Sequence, residues 1–173
     1  RARTAIMSPR LVALLLALGF VLVCRIILYA WWPTPGGDFD LLYAAAARLL
    51  RGEALYLSGS QWLPYPPPAV LLVLPFTAVP LELARPVFDI LIGWAFVYAL
   101  WKYRGQSALL AVLSGAYLFA LMHGQTTPLM VAASLVPALG FLLAVRPNTS
   151  VALWVGQPSW KALLGMVGFL ALT

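Results

Sequence analysis

The sequence predicts an all-α protein, a polytopic bundle of about four to six transmembrane helices in a single domain over residues 1–173. Of its 173 residues, 63% are hydrophobic and only 9% are charged, whereas charged residues make up roughly a quarter of a typical soluble domain. Apolar runs recur along the whole chain, separated by connections that contain proline, glycine and basic residues. The net charge of +6 then fits basic residues that set membrane topology, and it disfavours nucleic-acid binding.

The run 11–32 is the predicted first span, since it is long enough to cross a hydrocarbon core of roughly 30 Å. Arginines without any acid in 1–10 predict a cytoplasmic start, and the aromatic residues at 29–32 predict an outer interface. Arg25 lies in the outer part of this span. Its side chain either extends outward to the interface or faces a polar cavity and binds an anion. Because the chain begins at Arg1 and ends inside an apolar run, we interpret it as the N-terminal part of a longer protein.

Residues 33–64 form the longest polar stretch and are predicted to be an outer loop. Within it, 38–51 has acids at its start, an alanine-rich body and a glycine, Gly52, after its end, which together predict a helix. Its apolar residues recur on one face at helical spacing, so this amphipathic helix is expected to lie along the bilayer surface. That face consists of Leu42, Ala45, Ala46 and Leu49.

The rest of the chain holds a short membrane helix, three further spans and the beginning of another. If the short helix crosses completely, Lys102, Arg104 and Arg146 fall outside. If it only enters the outer leaflet, these three fall inside and His123 falls outside, which obeys the positive-inside rule better and is preferred. The segments are 66–80 for the short helix, 86–101, 107–122 and 127–145 for the spans, and 160–173 for the last one.

Asp38 and Asp40 are the main chemical candidates, because they stand where the predicted outer helix begins. Aspartate is a favoured helix N-cap, and an acid in the first turn suits the helix dipole. A carboxylate at the membrane surface is also suited to act as a general base or a metal ligand. Both interpretations stay open from the residues alone.

The segment 123–128 is a weaker candidate, with a lone His123 and with Gln125 beside a threonine that fits a helix N-cap before Pro128. Arg85 and Asp89 are four apart on a helix and are predicted to form a local ion pair. No zinc-ligand spacing, phosphate-binding loop or dinucleotide fingerprint occurs in the sequence, so no cofactor and no metal site are predicted. Whether a divalent metal is needed stays open.

In order along the chain, these pieces resemble glycosyltransferase family 87, a family of the polytopic GT-C class that includes polyprenyl-phosphate-mannose-dependent mannosyltransferases. The resemblance covers nearly the whole chain, from about residue 8 to about residue 165. Two features depart from the family pattern: leucines follow Asp40 where another aromatic is expected, and the last string has arginine where lysine is common. The strings are 37–43 (GDFDLLY), 50–56 (LRGEALY), 65–67 (YPP), 124–125 (GQ) and 146–147 (RP).

The resemblance implies an inverting transfer of a mannose-like sugar from a polyprenyl-phosphate donor to a glycolipid or polysaccharide, at the outer face of a bacterial inner membrane. Asp38 occupies the position of the catalytic base, and Asp40 is the second choice. Residues suggested for the donor phosphate are Arg25, Arg48 and Gln125, and those suggested for the sugar or lipid are Tyr43, Tyr56 and Tyr65. Since the family's chains are more than twice as long, this chain alone is expected to be inactive. The alternatives are a transporter or flippase for a lipid-linked or small polar substrate, and a scaffold without catalytic activity.

Overall fold

The computed structural model describes residues 8, 11–12, 14–16, 18–19, 22–23, 37–56 and 63–172. The described residues of the predicted first span, from 11 onward, have helical backbone. Arg25, the aromatic residues at 29–32 and most of 1–10 lie outside the described residues, so the predictions made for them stay predictions.

All regular structure in the described part is helical, which confirms the all-α class. Three 3₁₀ segments, Leu74–Ala78, Gln106–Leu113 and Pro137–Val145, alternate with the α-helices. The α-helices, labelled here in chain order, are α1 (Asp38–Leu50), α2 (Pro67–Val73), α3 (Leu81–Arg104), α4 (Gly115–Met122), α5 (Thr127–Leu135), α6 (Pro147–Gly156) and α7 (Trp160–Ala171).

Among the described residues, α3 is the one helix long and apolar enough to cross a membrane. Its 24 residues extend about 36 Å at 1.5 Å per residue, which exceeds a hydrocarbon core of about 30 Å. The helix begins five residues before the predicted span 86–101 and tolerates Pro86 near its start. One such helix is weak support for a membrane protein, and the polytopic arrangement stays a prediction.

The predicted spans 107–122 and 127–145 are wrong as continuous helices. Ser114 is extended and its hydroxyl accepts a hydrogen bond from the backbone N–H of Tyr117, so a new helix, α4, begins there. Helix α5 ends before Pro137, whose ring cannot continue a helix, and the chain continues as a 3₁₀ segment. Each run is therefore two short pieces.

The second of these runs folds back on itself. An Arg146 guanidinium nitrogen lies 2.9 Å from the Thr127 hydroxyl, so the two ends of the run 127–145 meet. Arg146 also contacts Asp38, so both lie at one end of the molecule. The preferred topology, which places Arg146 on the side opposite Asp38, is wrong at this point, because Pro137 turns the run into a hairpin rather than a crossing.

The segment 66–80 also begins and ends beside α1. Tyr65, just before it, shares Arg146 with Asp38, and the carbonyl of Val79 accepts a 2.8 Å hydrogen bond from the Tyr43 hydroxyl of α1. The segment therefore begins and ends at the same end of the molecule, and its position in a membrane stays a prediction. Helix α3 then runs from this end of the molecule and places Lys102 and Arg104 in its last turn.

Helix α1 ends one residue before its predicted limit, but its apolar face is covered by protein. Phe39, the predicted Leu42, Ala45 and Ala46 are at most 1% exposed, and they pack against α2, α3 and the segment Leu74–Ala78. The expectation that this face lies on the bilayer is therefore wrong. Burial of this face fixes α1, and with it the position of Asp38.

The end of α1 is fixed by Gly52, as the sequence predicts. Gly52 has φ +72°, a conformation that glycine adopts without a Cβ clash. Its N–H and that of Glu53 bond to the carbonyls of Leu49 and Arg48, which is the Schellman arrangement.

Helix α6 was not predicted, because its first residues, Pro147 to Ser150, read as a polar connection. It follows directly on Arg146, the helix N-cap. Helix α7 then packs closely on the segment Pro137–Val145. The predicted last span, 160–173, corresponds to helix α7.

Candidate functional site

Asp38 is the first residue of α1, not its cap. The N-cap is Gly37, and no side chain caps this helix end, so the interpretation of Asp38 as an N-cap is wrong. The backbone N–H of Asp38 donates a 2.8 Å hydrogen bond to the carbonyl of His123. The Asp38 carboxylate does not cap its own helix, so it is available to bond another side chain.

Two glycines allow the loop before α1 to touch the loop after α4. A Cβ on Gly37 would lie 2.0 Å from the His123 carbonyl oxygen, and one on Gly124 would lie 2.7 Å from the Phe39 Cβ. Gly124 also has φ +58°, which disfavours any residue with a side chain. Close backbone contact at this point therefore requires glycine on both loops.

The predicted site residues His123 and Gln125 take part here through their backbones. The His123 ring stacks on Phe119 at 4.0 Å between centroids, and its Nδ1 lies 3.0 Å from the Phe119 carbonyl. The N–H of Gln125 donates to the Ala120 carbonyl at 2.8 Å. The ring of His123 is thus committed to its own helix, while its carbonyl holds Asp38.

Arg146 connects three other side chains, and we call the four residues the Asp38 cluster: Asp38, Tyr65, Thr127 and Arg146. One terminal guanidinium nitrogen lies 3.1 Å from the Asp38 Oδ2 and 3.0 Å from the Tyr65 hydroxyl, and the other lies 2.9 Å from the Thr127 hydroxyl. The guanidinium also lies 5.3 Å from the centre of the Tyr65 ring, within the range of a cation–π contact.

Sequence reasoning missed Arg146 and Thr127 as site residues. Arg146 was considered for its membrane side and as part of a family-like string, and Thr127 was predicted to cap α5, whose N-cap is in fact Thr126. The available signal was a lone arginine closing a long apolar run, because a charge at such a position needs a partner.

An open cavity of about 550 Å³ lies beside the cluster. Tyr65 and Arg146 belong to both the cluster and the cavity wall. The remaining wall consists of Pro64, Pro66, Pro147, Asn148 and Thr149. A cation, a phenol and two small polar side chains therefore face one space.

Asp40, the second-choice base, is held in a separate ion pair. Arg85 of α3 donates through Nε at 2.9 Å to one carboxylate oxygen and through a terminal nitrogen to the other. The prediction that Arg85 pairs with Asp89 is wrong, since Arg85 reaches the adjacent helix instead. The two aspartates thus bond to different arginines, and the described residues contain no group of three or more acidic, His or Cys side chains suited to a metal.

We expect Arg85→Gln to lower the free energy of unfolding by about 1–3 kcal/mol, because the partly buried Asp40 carboxylate loses its charged partner. Both side chains are about one-fifth exposed or less (21% and 16%). Thermal unfolding of the variant measures the loss. Adding Asp40→Asn to it should recover part of the loss, and a fully additive double mutant would contradict the pairing.

Tyr65 is 5% exposed, and burial, followed by the adjacent Asp38 carboxylate, raises the pKa of its phenol. The phenol therefore stays protonated at neutral pH and can donate a hydrogen bond. In the unfolded chain it ionises near pH 10. Above that pH the unfolded state binds fewer protons than the folded state, so stability falls as pH rises.

Tyr65→Phe tests this linkage. Between about pH 10 and 11, the wild-type free energy of unfolding should fall more steeply than that of the variant, by up to about 1.4 kcal/mol per pH unit. Burial raises the pKa of Tyr56 as well, so the variant keeps a residual slope. Chemical denaturation across this range measures both slopes, and equal slopes would contradict the assignment.

The other predicted binding residues hold the fold. The Tyr56 hydroxyl donates at 3.0 Å to the Tyr65 carbonyl, and Tyr43 donates to Val79 as described. Arg48 donates at 3.4 Å to the Leu55 carbonyl, and its Nε is buried without a hydrogen-bond partner among the described residues. Arg48 is thus directed at its own loop and not at the cavity.

Comparison with protein-family models, with curated proteins and with solved structures found no match to this chain.

The function of the Asp38 cluster is therefore inferred from the chemistry of its four side chains. It places a carboxylate that can accept a proton next to a guanidinium that can bind an anion with paired hydrogen bonds. Both lie at the end of the molecule opposite the last turn of α3.

Proposed function

We propose that the protein is a membrane glycosyltransferase of the GT-C type. It moves a mannose-like sugar from a polyprenyl-phosphate donor to a glycolipid or polysaccharide acceptor. The single observation that carries this proposal is the contact between Asp38 and Arg146 at the edge of a cavity. A reaction of this kind needs a base for the acceptor and a cation for the leaving phosphate.

Asp38 is the proposed general base. A sugar hydroxyl is a poor nucleophile near neutral pH, so a carboxylate within hydrogen-bond reach removes its proton as the oxygen attacks the anomeric carbon. The bond from that carbon to the phosphate oxygen breaks, and direct displacement inverts the anomeric centre. Asp40 is less suited, because both its oxygens bond to Arg85.

Arg146 is the proposed partner of the leaving phosphate, in place of the residues suggested from sequence. Charge develops on the phosphate as the bond breaks, and a preorganised cation stabilises it. Arg48 is bonded to its own loop, and Arg25 lies outside the described residues. Arg146 lines the cavity and contacts Asp38. It can therefore bind a phosphate in the cavity while lying next to the proposed base.

The proposal is tested on the intact protein in lipid nanodiscs with a panel of polyprenyl-phosphate sugars and a glycolipid acceptor. We expect consumption of one donor and a product whose anomeric configuration is inverted. A retained configuration, or no consumption of any donor, would overturn it.

A transporter or flippase is the second candidate, favoured by the hairpin of α5 and Pro137–Val145, since interrupted helices often line transport sites. The chain ends of this hairpin meet at Thr127 and Arg146. This candidate predicts movement of a lipid-linked sugar across liposomes with no donor hydrolysis. The same nanodisc and liposome preparations therefore separate the two functions.

A further inference from the structure

The ion pair of Asp38 and Arg146 uses hydrogen-bonding groups that the proposed reaction also needs. Asp38 has to accept the proton of the acceptor hydroxyl, and Arg146 has to bind the leaving phosphate. In this structure a guanidinium nitrogen of Arg146 lies 3.1 Å from the Asp38 carboxylate. A phosphate that binds this nitrogen from the cavity therefore competes with Asp38.

We propose that this ion pair is a latch that a phosphate group opens. The phosphate binds Arg146 from the cavity. It replaces Asp38 as the acceptor of the hydrogen bond from the guanidinium nitrogen. The Asp38 oxygen can then accept a proton. The catalytic consequence of this exchange rests on the proposed function, whereas the exchange itself does not.

The cavity wall has the chemistry of a phosphate site. Its polar side chains are Tyr65, Arg146, Asn148 and Thr149, and none of its residues is acidic. Arginine binds phosphate oxygens with paired, charge-assisted hydrogen bonds. The Tyr65 hydroxyl already contacts the same guanidinium nitrogen, so it lies next to any oxygen bound there.

Thr127 allows the exchange to occur without loss of the arginine's position. Its hydroxyl bonds the other terminal nitrogen of Arg146 at 2.9 Å, so one half of the guanidinium stays anchored while the other changes partner. The ring of Tyr65, 5.3 Å from the guanidinium carbon, gives a second support that does not involve Asp38.

The latch is weak enough to open. One nitrogen and one carboxylate oxygen form the contact, and the two side chains are 28% and 22% exposed. Partly exposed ion pairs of this kind contribute little net stability. The pair of Arg85 and Asp40 differs, because it has two hydrogen bonds, is more buried and lies away from the cavity wall. It therefore provides a matched control.

The test is a calorimetric titration of the full-length protein in nanodiscs with inorganic phosphate, which measures the phosphate affinity. Asp38→Asn should tighten phosphate binding by about 2- to 10-fold, because the competing carboxylate is gone. Arg146→Gln should abolish binding, and Arg146→Lys should weaken it. Asp40→Asn, which removes the same charge from the control pair, should leave the affinity unchanged.

A second arm identifies the natural source of the phosphate. Polyprenyl phosphate placed in the nanodisc should displace inorganic phosphate if the ligand is a lipid headgroup, and should leave it bound if the ligand is free phosphate. Either result supports a phosphate latch. Thermal unfolding of each variant excludes loss of the fold as the cause.

The latch is overturned if Asp38→Asn and Asp40→Asn change the affinity equally, or if neither the wild type nor Asp38→Asn binds phosphate. Its failure is distinct from failure of the proposed function. Tightened binding without sugar transfer keeps the latch and removes the transferase. Sugar transfer without tightened phosphate binding in Asp38→Asn keeps the transferase and removes the latch.

Discussion

Asp38→Asn in the full-length protein is expected to lower sugar transfer by about 10²- to 10⁴-fold, the range that a positioned general base contributes. Asparagine has nearly the same shape and can still accept a hydrogen bond from Arg146, but it cannot take up the acceptor's proton. The rate of product formation from a polyprenyl-phosphate sugar in nanodiscs measures the loss.

Asp40→Asn is the control for this result. It removes an equal charge two residues away, from a carboxylate that bonds Arg85, and should keep most of the transfer rate in protein that remains folded. If Asp38→Asn turned over normally while Asp40→Asn did not, Asp38 would be rejected as the base and Asp40 would take its place.

Gly37→Ala is expected to destabilise the protein and to slow sugar transfer together. The added methyl group would lie 2.0 Å from the His123 carbonyl oxygen, so the two loops must separate. Overpacking of this kind costs about 1–3 kcal/mol. The shift also moves Asp38, whose N–H bonds that oxygen, and a misplacement of about 1 Å is enough to lower a rate by about 10²-fold.

Thermal unfolding and transfer rate, measured on the same preparation, check this expectation. Gly156→Ala is the matched control, since a Cβ there meets no atom within 4 Å. Equal effects at the two positions would show that the contact between the loops does not hold Asp38.

The helical class and helix α1 were predictable because they depend on local pattern. Leu42, Ala45 and Ala46 recur at helical spacing and are buried on one face, and Gly52 ends α1 in the expected left-handed conformation. What covers that face was not predictable, since lipid and protein favour the same apolar residues. The structure places α2 and α3 against it.

The candidate site was only partly predictable. Asp38 could be selected because it follows the first apolar run, in the predicted outer loop. Its partner Arg146 is 108 residues away, and their contact depends on a hairpin that hydropathy reads as a crossing. Pro137 was the local signal for that hairpin, because a helix cannot continue through it. Tyr65 and Thr127 follow from the same long-range packing.

The partner of Arg85 also could not be predicted from the sequence. Arg85 and Asp89 have the right spacing for a pair on one helix, yet Arg85 bonds both oxygens of Asp40 on α1. The contact between helices gives Arg85 two hydrogen bonds to one carboxylate. Spacing along the chain could not have distinguished these partners.

The proposed transferase requires the Asp38 cluster and its cavity to face the outer side of the membrane. Sided labelling tests it most directly, with Asn148→Cys on the exposed cavity rim and with the single native cysteine, Cys24, replaced by serine. A maleimide that cannot cross the membrane should label position 148 in intact cells, and should label Tyr103→Cys, at the far end of α3, only after permeabilisation. Labelling of position 148 only after permeabilisation would contradict the account.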